Sequence, residues 1–122
     1  MKTDREILLR ARELLEQGWT KDAMARTARG NPCSHSSRLA VSWCLSGAVS
    51  RAATEGTDGS MLGDVRAQRQ ADNLWAHLSW TLYAWRDHGD PSSWQDDTRR
   101  RLVEVFSLVD RTLAALPEEA IP

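Results

Sequence analysis

The sequence predicts an all-α fold, a compact bundle of about four helices with short loops. Two observations carry that expectation. Apolar residues recur every three or four positions in several separate segments. Between those segments lie clusters of Gly, Pro, Asn, Asp and Ser, the residues that punctuate helices. No strand-rich region is apparent, so helix-on-helix packing is the expected way to close the core.

The first helix opens at Thr3-x-x-Glu6, a capping-box spacing. Ile7, Leu8, Ala11, Leu14 and Leu15 form its apolar stripe, Arg and Glu occupy the outer face, and Gly18 stops it. Trp19 is expected to fold back on that helix end. Residues 20–35 are ambiguous: Ala23, Ala25 and Ala28 suit a helix, whereas the alternation Met24/Arg26 and the turn Gly30-Asn31-Pro32 suit an extended stretch. One or two helical turns followed by a loop is the expectation here.

The centre of the chain is the stretch 36–53, expected to be one buried helix capped by the serines around His35. Leu39, Trp43, Val49 and Ala53 recur on one side, and Ala40, Cys44, Gly47 and Ala48 make a smaller-residue face. A flexible loop over 54–60 follows. The third helix begins near Ser60 or Asp64 and runs to about Trp85, with Val65, Ala71, Leu74, Trp75, Leu78, Leu82 and Trp85 at helical spacing. A second loop spans 87–93. The fourth helix then runs from about Trp94 to Leu116, where Leu102, Phe106, Val109, Leu113 and Leu116 step as an a/d seam. Residues 1–116 form a single helical domain in this reading, with 117–122 a frayed tail.

Composition narrows the function classes. The chain has 122 residues, 41% hydrophobic and 27% charged, as in an ordinary globular domain. No run approaches the length of a membrane span, and the charged start is unlike a secretory signal, so no membrane and a cytoplasmic location are expected. In that compartment Cys33 and Cys44 are expected as free thiols. A formal net charge of −1 argues against a strongly basic nucleic-acid binder and against an acidic DNA mimic alike. Fourteen Arg against two Lys would suit stacking and forked hydrogen bonds to carboxylate or phosphate, but codon usage in a GC-rich genome is the favoured reading. The oddity is six tryptophans beside one Phe and one Tyr, because tryptophan is enriched at binding hot spots.

Chemistry-bearing motifs are sparse. Cys33, His35 and Cys44, with His77 or His88, are zinc-ligand types, but their spacing fits no standard pattern, and no metal or other cofactor is expected. No nucleophile elbow or Gly-rich phosphate loop is present, so no catalytic residue is assigned. The densest polar cluster runs from Trp85 to Trp94. Asp87, His88 and Asp90 there could bind a ligand or cation, although turn chemistry alone accounts for most of those residue types. Arg66, Arg69, Arg99, Arg100 and Arg101 are the candidate nucleic-acid contacts, weakened by Asp96 and Asp97 beside the triplet.

Gly18-Trp19, the run Trp43 to Val49 (Trp-Cys-Leu-Ser-Gly-Ala-Val) and the closing run Glu104 to Ala114 resemble an uncharacterised family of small actinobacterial and bacteriophage proteins. Trp85-Arg86-Asp87 matches a third element in which the family has Trp-Asn-Asp. The resemblance implies no activity, cofactor or catalytic residue, only the context of a phage or mobile-element accessory protein. The leading expectation is therefore a non-enzymatic module that binds another protein or itself as a homodimer. Its contacts are expected among the exposed members of Trp80, Trp85 and Trp94, with Arg86, Asp87 and Asp90 for orientation. A ligand- or metal-binding site in the 85–94 loop, with catalysis left open, and a nucleic-acid accessory role are the alternatives.

Overall fold

The computed structural model describes residues 2–57 and 59–117. Its order is α1 (Asp4–Gln17), β1 (Ala25–Thr27), β2 (Pro32–Cys33), β3 (Ala40–Trp43), α2 (Leu45–Thr54), α3 (Met61–Arg86), α4 (Pro91–Asp96) and α5 (Leu102–Ala115). The expectation of an all-α bundle is thereby corrected. Among the described residues five helices are accompanied by a three-stranded antiparallel sheet of order β2-β1-β3.

The capping box at Thr3 and Glu6 is formed, and Ile7, Leu8, Ala11, Leu14 and Leu15 are buried. Full burial of each Leu or Ile is worth about 1.5–3 kcal/mol. Residues 20–43 are where the helical expectation fails. In place of helical turns, β1 pairs with β3 in the register Ala25↔Trp43, Arg26↔Ser42, Thr27↔Ala40, with a bulge between Arg26 and Thr27. β1 also pairs with β2, and Gly30, at φ +84°, shapes the turn between them. Leu39 and Trp43 are four apart, as on a helix, but Leu39 is exposed and Trp43 buried. The helix expected over 36–53 therefore keeps only its second half, α2, N-capped by Cys44.

Two glycines let the sheet and helices close on each other. A Cβ on Gly47 would stand 1.9 Å from the carbonyl oxygen of Met24, and one on Gly18 would stand 2.2 Å from that of Val41. Gly47 thus admits α2 against the chain entering β1, and Gly18 admits the end of α1 against β3. The strand β3 is held from its other side too: Trp43 N donates to Gly18 O at 2.9 Å, and Thr20 N to Trp43 O at 3.0 Å.

α2 lies between α1 and α3, with Leu45, Ala48, Val49, Ala52 and Ala53 buried. α5 closes the core against α3 and α1. The helix expected over 94–116 is two helices, α4 and α5, with a turn over 97–101. The Asp97 carboxylate accepts from Arg99 N, and the Glu104 carboxylate accepts from Arg101 N. Such side chain to backbone bonds end one helix and start another. In α5 the buried stripe is Val105, Leu108, Val109, Thr112 and Leu113, whereas Leu102 and Phe106 are only partly buried. The loop expected over 54–60 contains Asp58, and the tail expected to fray contains 118–122; Asp58 and 118–122 lie outside the described residues.

One polar residue reaches into this core. Gln95, at 1% exposure, accepts from Trp19 Nε1 (2.6 Å) and Leu45 N (3.3 Å) and donates to Thr20 O (3.4 Å). It ties α4 to the start of α2 and to the segment bridging α1 and the sheet. At the far end of α2, Glu55 accepts two bonds from Arg10 (2.9 and 3.1 Å) and one from Arg51 (3.3 Å).

Candidate functional site

The 26 residues of α3 separate into a core face and an outer face. Ala67, Ala71, Leu74, Leu78 and Leu82 are buried, whereas Arg69, Asn73, Ala76, Trp80 and Tyr83 on the opposite side are exposed. On that outer face Trp80 is 74% exposed and Tyr83 54% exposed, with ring centroids 6.4 Å apart in an edge-to-face arrangement. Ala76, Ser79, Trp80, Tyr83 and Gly89 line an open recess of about 550 Å³. Leaving two large rings side by side in water forgoes the burial that drives folding, so the arrangement suits a contact made with something else.

The other expected aromatic platforms lie elsewhere. Trp94 is 3% exposed and belongs to the core. Trp85 is half-buried and meets Trp94 edge-on at 6.0 Å, which staples the end of α3 to α4. Guanidinium groups cover these rings: Arg86 and Arg111 stand 4.2 and 4.4 Å from the Trp85 centroid, and Arg100 stands 4.1 Å from that of Trp94. Such stacking on an indole is favourable. Of the three expected tryptophans, Trp80 is the one whose ring faces outward. Tyr83 was missed by sequence reasoning, although its place three residues after Trp80 puts it beside that ring on a helix.

In the 87–93 loop, Asp87 ends α3 in the left-handed region at φ 54°. Asp90 N donates to His88 Nδ1 (3.2 Å), and Asp90 Oδ1 accepts from Ser92 N (3.0 Å) as the cap of α4. His88 and Asp90 are thus engaged with the turn's own backbone. The structure does not bring them together with the cysteines, and among the described residues no group of three His, Cys, Asp or Glu side chains is placed to hold a metal ion.

Cys44 Sγ accepts from Gly47 N at 3.2 Å as the cap of α2, and burial pushes its thiol pKa up. A raised pKa means less thiolate and a poorer nucleophile. His35 holds two neighbours through its carbonyl, Trp43 Nε1 (3.2 Å) and Arg51 (3.0 Å). Burial, and then the charge of Arg51, lowers the pKa of its imidazole. That imidazole borders a second open recess of about 760 Å³, lined also by Thr57, Met61, Asp64 and Gln68.

The expected basic contacts are divided. Arg66 and Arg69 sit on the outer face of α3, whereas Arg99, Arg100 and Arg101 lie in the turn into α5 beside Asp97 and Glu104. Arg100 bonds Glu104 at 2.8 Å and the carbonyl of Trp94 at 3.0 Å. No helix among the described residues is long and apolar enough to cross a membrane.

Compared with known proteins, residues 1–115 match the model of a family described as a family of unknown function (DUF6197). No curated protein and no solved structure matches the chain.

Proposed function

Because the chain belongs to DUF6197, a family of unknown function, its role has to be read from its own surface, and we propose that it is a non-enzymatic protein-interaction module whose contact face is the outer side of α3. The observation that carries this reading is the exposed pair Trp80 and Tyr83 on a helix whose opposite side is committed to the core. Aromatic residues anchor interfaces because each buries a large area at small entropic cost. Asp87, whose carboxylate has no hydrogen-bond or ion-pair partner among the described residues, supplies charge at one end of the face, and Arg66 and Arg69 supply it at the other. Trp85 and Trp94 lie on the core side, stapled edge-on to each other.

Within this reading the resemblance to small actinobacterial and bacteriophage proteins points to a cytoplasmic accessory protein, for instance an inhibitor of a host complex. That step is analogy and carries no site. The test compares the tagged protein with a Trp80→Ser, Tyr83→Ser variant, recovered from bacterial lysate and analysed by mass spectrometry. Both side chains are exposed, so the variant should melt as the parent does. Loss of the captured species, the protein's own second copy included, is the expected result. Equal capture by the two proteins, or capture of nothing by either, overturns the reading.

A further inference from the structure

We infer that the occupant of the α3 outer face is a second copy of this chain, with the two α3 helices packed antiparallel about a two-fold axis at the level of Leu78. The inference rests on the reading of that face as a contact surface and adds who sits on it.

Arg69, Asn73, Ala76, Trp80, Tyr83 and Asp87 are all exposed, and their spacing alternates four, three, four, three and four. That is the seam by which helices pair side by side, and in the monomer no element covers it. The contents of the seam are self-complementary, as a two-fold contact requires. Two helices related by an axis at Leu78 set Trp80 of each over the small Ala76 of the other. Tyr83 then meets Asn73, a donor and acceptor for its hydroxyl. Asp87 meets Arg69.

Charge selects this alignment over its competitors. A parallel pair would set Arg69 against Arg69 and Asp87 against Asp87, which is repulsive at both ends. An antiparallel pair shifted by one heptad toward the N-terminus would set Asp87 against Leu62 and leave its charge without a cation. Among the described residues neither the Arg69 guanidinium nor the Asp87 carboxylate has an ion-pair or hydrogen-bond partner, so both can make one between chains. The central layer, a large ring on a small side chain, also allows the close helix approach that two facing tryptophans would prevent.

The test uses charge reversal and sedimentation velocity at low salt. The parent protein should be a dimer, weakened by added salt because the end pairs are exposed. Arg69→Asp alone and Asp87→Arg alone should each raise the dissociation constant about tenfold or more. An equimolar mixture of those two variants should recover a heterodimer, since each chain then carries the partner of the other's changed charge. Ala76→Glu, at an exposed helical position where folding is not at risk, should give a monomer by filling the space under the other copy's Trp80 with a charged side chain. A parent that stays monomeric at millimolar concentration overturns the inference, as does a dimer indifferent to Ala76→Glu and both reversals. If the parent is monomeric but still captures another protein that the Trp80→Ser, Tyr83→Ser variant loses, self-pairing is wrong and the contact face stands. If that capture fails as well, both fall.

Discussion

Replacing Gln95 by leucine should unfold this protein at a markedly lower temperature, although volume and helix propensity barely change. The glutamine is 1% exposed and serves Trp19 Nε1, Leu45 N and Thr20 O. Leucine fills the space and leaves all three without that partner. Leu45 is fully buried at the first position of α2, where its N–H has no partner within the helix, so it bears a full desolvation penalty of about 1–3 kcal/mol. Trp19 is half-buried and can turn partly to water, so its loss is nearer the net value of one hydrogen bond, about 0.5–1.5 kcal/mol. Added apolar burial offsets a fraction, and a net loss of about 2–4 kcal/mol remains. Unfolding entropy scales as roughly 2 cal/mol/K per residue, so for a chain of this length each kcal/mol lowers Tm by about 4 °C. The expected drop is therefore about 8–15 °C by calorimetry. A double-mutant cycle with Trp19→Phe separates the bond from the packing. Removing the indole donor first should make Gln95→Leu cheaper by about 1 kcal/mol. A drop below about 2 °C, or strictly additive effects, would refute the account of Gln95 as the tie between α4, α2 and the bridging segment.

Two further outcomes follow from the same geometry. Gly47→Ala should destabilise by about 1–3 kcal/mol even though alanine is the better helix former by about 1 kcal/mol, because its Cβ would lie 1.9 Å from a backbone carbonyl that the sheet holds in place; an unchanged or raised Tm would contradict that contact. Glu55 has its pKa held below the ordinary glutamate range, chiefly by its hydrogen bonds from Arg10, against the opposing effect of burial. A depressed carboxylate stabilises the fold above its unfolded pKa, and the stabilisation fades as pH falls through the folded value. Glu55→Gln should therefore cost stability at pH 7 and little in acid, flattening the melting profile below the ordinary glutamate range; a constant difference from neutral to acidic pH would argue against the Arg10–Glu55 pairing.

Much of the helical framework was legible because helical burial leaves a periodic trace. α1 and its capping box, the extent of α3 and the turn after it follow from the positions of Ile7 to Leu15, Ala71 to Leu82, and Gly89 to Ser93. The sheet left no such trace. Its strands are two to four residues long, too short for alternation to declare itself, and Ala25 and Ala40 are as much at home in helices. Leu39 and Trp43 mimicked a helical pair by accident of spacing. The division of the last helix lay in Asp97 and Glu104, whose capping role depends on which backbone groups are nearby.

The candidate site divides along similar lines. Tryptophan excess pointed to a surface, with Trp80, Trp85 and Trp94 offered together. It could not distinguish Trp80 from Trp94, since the burial of Trp94 comes from α4 docking on α2, a tertiary event. Gln95 was invisible for a related reason: in Pro-Ser-Ser-Trp-Gln-Asp-Asp it reads as one more surface amide.

The small sheet also decides how this protein can fail to associate. An open strand edge invites any extended chain to hydrogen-bond along it, which is the route to fibres and strand-added complexes. Here one edge is β2, two residues long and half proline, so it has little ladder to offer and one donor fewer. The other edge, β3, already spends the N–H and C=O of Trp43 on Gly18 and Thr20. With one margin this short and the other partly taken up, growth by strand addition is disfavoured, and the colloidal behaviour of concentrated solutions should be governed by helix surfaces. Dyes that report cross-β order should stay dark at concentrations where light scattering already registers association.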